Sequence, residues 1–444
     1  MEKLIKAVEK HTDLILKSER WLWAHPETGY KEYETAKYMT EKFTELGYDL
    51  VQAGDIPGFY TVIDTGRPGP TLLILAELDS IICFGHKECN PKTGAVHSCG
   101  HHAQSAALIG IAAALKEPGV LDGLSGKIKL CSVPAEELLE IEFRNELRKK
   151  GVIKYMGGKS EFLYRGYFDD VDLAFMVHTS VGETFASSLG ANGCIAKKII
   201  FKGVASHAGG SPWNGKNALY AATCGINACN ALRETFKDAD QIRFHPIITS
   251  GGAMVNAIPE TVTAESYVRG KTFESILEAN KRINQALIGG AMSINCNVEL
   301  VDIPGYAPLV NSPDMIKAYQ EACSIGVPEY GYVHREVYSG GSTDMGDLSC
   351  IMPTIHPNAP GAQGTSHGSD YYLVDPMKAC VGSAKVQLVM LSLLLKDDAK
   401  RAKEIIANFE PRFKSKKEFL DYCDAIFAEG DRIIYEDGKA TVKL

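Results

Sequence analysis

Six consecutive residues, His97-Ser98-Cys99-Gly100-His101-His102, carry four side chains able to bind a metal. Thiolate and imidazole are borderline-soft ligands suited to zinc and its neighbours, and Gly100 permits a turn tight enough for Cys99 and His101 to face one ion. The same segment also fits a histidine-rich helix start with a buried cysteine. A second group, Pro134-Ala135-Glu136-Glu137, follows an apolar run. Adjacent carboxylates there can divide labour, one binding a metal while the other takes a proton from water and passes it to a leaving amine. A solvated acidic turn is the plainer reading of that pair. His178 follows another apolar run, and His367 lies in the polar loop Gly364–Asp370; singly, His178 reads more readily as a structural histidine and His367 as part of a plain loop. Jointly, Cys99, His101, Glu137, His178 and His367 form a mixed nitrogen, oxygen and sulfur set large enough for two ions sharing a bridge.

The elements that must position these groups are short. Thr71 to Ala76, Lys127 to Val133 and Val171 to Val177 read as buried strands, with Ala103 to Leu115 as a helix between the first two. This is α/β patterning, in which ligands sit beyond the carboxyl ends of strands, where the acidic pair and His178 fall. From Cys194 to Ile303 the pattern changes. Ile195 to Val204, Gln241 to Thr249, Thr261 to Val268 and the alternating Cys296, Val298 and Leu300 read as strands. Lys216 to Thr235 and Phe273 to Ile288 read as helices. That βαββαβ order is a ferredoxin-like unit set inside the first domain. We therefore expect residues 1–190 with 305–395 to form a catalytic domain, 191–304 an inserted α+β domain, and 396–444 a C-terminal helical appendage closed by a turn at Glu436-Asp437-Gly438-Lys439.

At 444 residues, with 45% hydrophobic and 23% charged residues, the chain has the makeup of a globular protein of two or three domains, which argues against disorder or a fibre. A net charge of −8 removes the general basic footprint of a nucleic-acid binder. The apolar run Val386 to Leu395 is too short to span a bilayer, and the charged N-terminus lacks an apolar signal core, so we expect no membrane partner and a cytoplasmic location. Twelve scattered cysteines without a Cys-x-x-Cys fit reduced thiols rather than a thiol redox protein.

In order along the chain stand Trp21 to Ala36 with His25-Pro26-Glu27, Ala76-Glu77-Leu78-Asp79, Cys99-Gly100-His101, Pro134-Ala135-Glu136-Glu137, Ser206-His207-Ala208-Gly209, Asn256-Ala257-Ile258-Pro259 and Ser342-Thr343-Asp344. Together they resemble the co-catalytic metallopeptidase family of aminoacylases, carboxypeptidases and auxin-conjugate amidohydrolases. Gly157-Gly158-Lys159 to Asp172 is most similar to the B-type branch of the p-aminobenzoyl-glutamate hydrolases. The resemblance implies a zinc-peptidase-like mixed-sheet catalytic domain with a lid and dimerisation domain, and two divalent ions, Zn or Mn with Co also used. It implies metal ligation by Cys99, His101, Glu137, His178 and His367, with Glu136 as general base and Asp79 orienting a ligand. It also implies an oxyanion contact from His207 of a neighbouring subunit, and Asn256 with Arg269 on a substrate carboxylate.

The expected activity is hydrolysis of an N-acyl or aroyl amino acid, or of a dipeptide with a free carboxylate, by a homodimer paired through residues 191–304. A catalytically silent metal-binding scaffold is the rival, disfavoured by the intact Glu136 beside Glu137. Three departures stand out. His102 follows the Cys-Gly-His, as an extra ligand or a helix-terminal donor. A loop with Cys83, His86 and Cys89 offers three ligands for a separate zinc site, but with no fourth in view it reads better as an irregular pocket wall. The charged stretch Leu138 to Tyr155 reads as a helix lining the pocket.

Overall fold

The computed structural model describes all 444 residues. A six-stranded mixed sheet runs in the order Val51–Gln52, Phe59–Asp64, Lys127–Val133, Thr71–Glu77, Leu173–Phe175, Thr354–Ile355. Thr71–Glu77 pairs in parallel with Lys127–Val133 and with Leu173–Phe175, while Phe59–Asp64 closes one side antiparallel. Every residue of Thr71–Glu77 is buried, because both faces of the sheet are covered. Leu72, Ile74 and Ala76 enter one core with the helices Thr12–Ala24, His101–Leu115 and Ser383–Asn408; Leu73 and Leu75 enter a second core with Phe162 and Phe168. The helix His101–Leu115 is apolar nearly all round and buried at every position, so it threads the core instead of riding its surface.

The strand expected over Val171 to Val177 is regular only at Leu173–Phe175. Asp172 bounds its start by accepting from the Thr71 amide at 2.7 Å, and past its other end the Met176 and His178 amides donate to the Ile355 and Pro357 carbonyls, which delivers His178. A second six-stranded sheet, centred on Phe185–Ala191 and Asn358–Gln363, supports that histidine from behind.

Residues 193–304 form the βαββαβ unit, with sheet order Arg243–Phe244 and Ile247–Ser250, Thr261–Gly270, Gly193–Lys202, Asn297–Pro304, all neighbours antiparallel. The strand expected as one piece over Gln241 to Thr249 is broken at His245-Pro246, since proline has no amide for the ladder. Two helices cover one face. Ala218–Ala231 is capped by the Asn217 side chain, and Phe273–Met292 by a Thr272/Ser275 capping box. They pack backbone to backbone where Gly225 meets Gly290.

The C-terminal expectation needs correction. Residues 396–444 are not a helical appendage. The helix Lys416–Ile426 lodges Phe419 and Cys423 in the second core; Ala428–Asp431 then adds a strand to the edge of the lid sheet beside Asn297–Pro304. A hairpin, Ile433–Glu436 with Lys439–Val442, follows, and its turn falls at Asp437-Gly438. The edge strand Asn297–Pro304 offers unpaired backbone groups, which explains why a segment of weak intrinsic strand preference is extended there. One helical run, Met377–Asn408, is long and apolar enough to cross a membrane, but 89% of its apolar window is buried inside the protein, as in a core helix.

Candidate metal centre

The site is built at the carboxyl ends of the two central strands. Thr71–Glu77 delivers Glu77 and, two residues on, Asp79; Lys127–Val133 delivers Glu136 and Glu137 through a turn with Ala135 at φ +57°. The Ala135 amide donates to Glu32 at 2.7 Å, and buried Arg144 donates to the carbonyls of Ala135, Met156 and Glu137, so the acidic turn is clamped on both sides. Gly100 at φ +101° starts the helix that presents His101, and a Cβ there would meet the Tyr371 hydroxyl and Thr179. His367 itself adopts φ +63°, with its amide bonded to the Ser98 carbonyl.

These elements bring together all five donors read from the sequence. Donor atoms of Cys99, His101 and His178 lie within 4.8 Å of one another, and so do those of Cys99, Glu137 and His367. The two groups share Cys99. Cys99 Sγ is 3.4 Å from His178 Nε2, and His367 Nε2 is 3.0 Å from Glu137 Oε1. Asp79 stands behind them. Its carbonyl and Oδ1 lie 2.9 and 3.2 Å from His101 Nδ1, and its Oδ2 accepts from the Glu137 amide at 2.8 Å, so one side chain fixes two donors. Glu136 Oε2 sits 3.9 Å from His101 Nε2.

Charge is concentrated here. Burial and Glu137 push the Cys99 thiol up, but His101 and His178 outweigh them and bring it down to about 6, which favours thiolate. Against the penalty of burial, His367 draws Glu137 down to about 2; Glu137 in turn raises His367 to about 11. Burial, with Glu77 and Glu137 adding to it, lifts Glu136 well above the usual carboxylate range. A fit to cations is visible in the side chains themselves: buried His101 Nε2 and Glu137 Oε1 lack aligned hydrogen-bond partners, and thiolate, imidazole and carboxylate converge without a basic side chain between them.

The sequence reading missed a buried ionic group beneath the centre. Lys159 Nζ contacts Glu77 Oε1 at 2.6 Å and also pairs with Asp344, while Glu77 Oε2 accepts from Gln104 and lies 3.2 Å from His101 Nε2. Burial opposes the Lys159 charge, yet Asp344 and Glu77 hold its ammonium above the ordinary value. Each of the three residues stands within a quoted motif, but nothing in their spacing shows that they meet. Other expectations shift. His102 turns away, its Nε2 lying 3.2 Å from Glu19 Oε1 and its ring against Trp23. The loop of Cys83, His86 and Cys89 is held to the helix Thr12–Ala24 by Glu88, which accepts from Trp23 Nε1, and to the Tyr371 carbonyl by His86, and it does not wall the cleft. The charged stretch after Glu137 is helical over Ile141–Lys149, but it braces the acidic turn from behind through Arg144.

A cleft of about 500 Å³ opens over the donors, floored by Cys99, Glu136, Glu137, His178 and His367 and roofed from the lid by Arg243, His245 and Arg269. His207 and Asn256 are elsewhere. His207 is exposed, its Nδ1 accepting from the Gly209 and Gly210 amides, and the Asn256 carbonyl accepts from Ala208. The two segments bridge each other on the lid and neither residue lines the cleft of its own chain, so the expected pairing of Asn256 with Arg269 is absent within one chain.

Residues 76–388 match the model of peptidase family M20/M25/M40. The chain belongs to this family. It is thereby a metal-dependent hydrolase of amide bonds. Among relatives, human Xaa-Arg dipeptidase is 27% identical over 375 residues, 79% of this chain and 78% of its own length. The B-type p-aminobenzoyl-glutamate hydrolase polypeptide of Escherichia coli is 26% identical over 320 residues, 70% of this chain and 62% of that protein. Of solved structures, an aminobenzoyl-glutamate utilization protein from Klebsiella pneumoniae superposes with a TM-score of 0.64 at 20% identity, covering 87% of this chain and 98% of that one. A dinuclear metal-binding M20 peptidase from Bacillus subtilis superposes with a TM-score of 0.62 at 20% identity, covering 88% and 99%. These last two speak for the fold.

Proposed function

We propose that this M20 protein hydrolyses the amide bond of an N-acyl or aroyl amino acid, or of a dipeptide, carrying a free carboxylate. The observation that carries the reading is the pair of donor groups sharing Cys99, with Glu136 free beside them. Cys99, His101 and His178 would hold one divalent ion and Cys99, Glu137 and His367 the other. Sulfur and nitrogen donors favour Zn, and the carboxylate also admits Mn or Co. Bound there, the ions supply Lewis acidity and a lowered water pKa. Glu136 Oε2 takes the proton of the attacking water and returns it to the departing amine nitrogen. Asp79 holds His101 Nδ1 and the Glu137 amide in register, and Arg269 binds the substrate carboxylate from the lid.

The oxyanion contact comes from His207 of a second copy. Support for a homodimer through the lid lies in its free edge strand Ile247–Ser250 and in the exposed Tyr220, Met254 and Val255 beside His207, the last 98% exposed. Twelve free cysteines support a reducing, cytoplasmic setting. The test is Glu136→Gln. Metal content by elemental analysis should stay unchanged while kcat on an acyl-amino acid panel falls by about 10²–10⁴-fold; near-normal turnover would remove Glu136 from this role.

A further inference from the structure

The lid presents two guanidiniums to the cleft from neighbouring strands. Arg243 and Arg269 are direct partners in the antiparallel register, so both side chains leave the same face. Like charges placed directly opposite destabilise a sheet, and the acids of the cleft, Glu136 and Glu137, belong to its floor and pair with neither arginine. Neither arginine forms an ion pair: Arg243 donates only to the neighbouring Ile242 carbonyl at 2.9 Å, and Arg269 to His245 Nε2 at 3.2 Å and to Ser342 Oγ at 2.9 Å. Burial and the Arg269 charge hold the His245 imidazole below its usual value, so it accepts from Arg269 Nε without neutralising it. Much of the remaining wall carries hydroxyl side chains, Ser188, Ser339, Ser342 and Thr343, and three of the 20 lining residues are hydrophobic.

We infer that Arg243 is a specificity-determining residue that binds a second carboxylate, so that the scissile amide belongs to an acidic amino acid, aspartate or glutamate. Opposed residues in such a register have Cβ atoms about 4.5–5.5 Å apart, and the two carboxyl carbons of these amino acids are separated by about 4–5 Å of covalent chain. Arg269 then takes one carboxylate and Arg243 the other. A basic side chain in the same place would face two like charges, which sets this chain apart from a dipeptidase that accepts arginine. The inference rests on the hydrolase reading above and goes beyond it in naming the amino-acid class.

The experiment has a kinetic and a binding arm, both on the full chain loaded with Zn or Mn. N-acetyl-glutamate, N-acetyl-glutamine and N-acetyl-arginine share one acyl group and differ only in the amino-acid side chain. The wild type should prefer glutamate over glutamine about tenfold or more in kcat/KM; R243Q should erase that preference by raising KM for glutamate far more than for glutamine, and R243K should restore part of it. Equal use of glutamate and glutamine, or an equal loss of both in R243Q, overturns the inference. In the binding arm glutarate should raise Tm more than butyrate does in the wild type and not in R243Q; equal shifts overturn it. A glutarate preference without hydrolysis of any amide supports the second anion subsite and sinks the hydrolase reading instead.

Discussion

Asp347 shows how a single buried carboxyl writes itself into the pH dependence of the fold. Burial pushes it up to about 7, although the Ser160 hydroxyl and the Ala307 amide bond to it. A carboxyl whose folded pKa lies above its unfolded value of about 3.9 stabilises the protein at acid pH and loses that contribution as pH rises through the folded pKa. Stability should therefore fall by about 1.4 kcal/mol between pH 6 and 8 from this group alone. Asp347→Asn, which keeps both hydrogen bonds, should flatten that slope in urea melts; an unchanged slope would place the titration elsewhere. At this scale the sequence was most legible where a chemical residue follows a buried strand. Glu136, Glu137 and His178 sit at strand ends, and Cys99 and His101 flank a glycine that must turn. Glu77, Lys159 and Asp344 were opaque because their meaning comes from mutual neutralisation across 82 and 185 residues of chain, and no local pattern records it.

Among elements, the lid depends on two helices that approach to backbone distance. A Cβ on Gly290 would lie 2.3 Å from the Gly225 nitrogen, whereas one on Gly289 meets nothing. Gly290→Ala should cost about 1–3 kcal/mol by overpacking, and Gly289→Ala should be neutral or stabilise by up to about 1 kcal/mol through helix propensity. Thermal melts of the two variants provide the check, and equal behaviour would contradict the packing. The βαββαβ order was readable because its strands alternate and its helices carry apolar faces. Two details were hidden. Pro246 splits a strand that apolar content alone extends, and Ala428–Asp431 becomes a strand only because the lid sheet has an edge to pair with, a tertiary demand that overrides a segment of small and acidic residues.

For the molecule as a whole, the proposed dimer rests on where His207 and Asn256 lie. Both are held on lid loops outside the lining of their own cleft, beside an exposed apolar surface. In the proposed dimer, Glu136→Gln and His207→Ala subunits should each be inactive alone, and their mixture should regain activity, because one mixed site holds an intact Glu136 and receives an intact His207. A mixture as inactive as its components would refute the shared site. The sequence order of the motifs pointed to the family, but it could not show that His207 and Asn256 lie together and apart from Arg269, since that is a matter of lid geometry.

The account turns on a shared thiolate between two cations. Anomalous diffraction from crystals soaked with Zn or Mn, measured at the metal edge, tests it most directly. Two peaks are expected, both next to Cys99, one beside His101 and His178 and the other beside Glu137 and His367; a single peak, or peaks away from Cys99, would contradict the proposed centre.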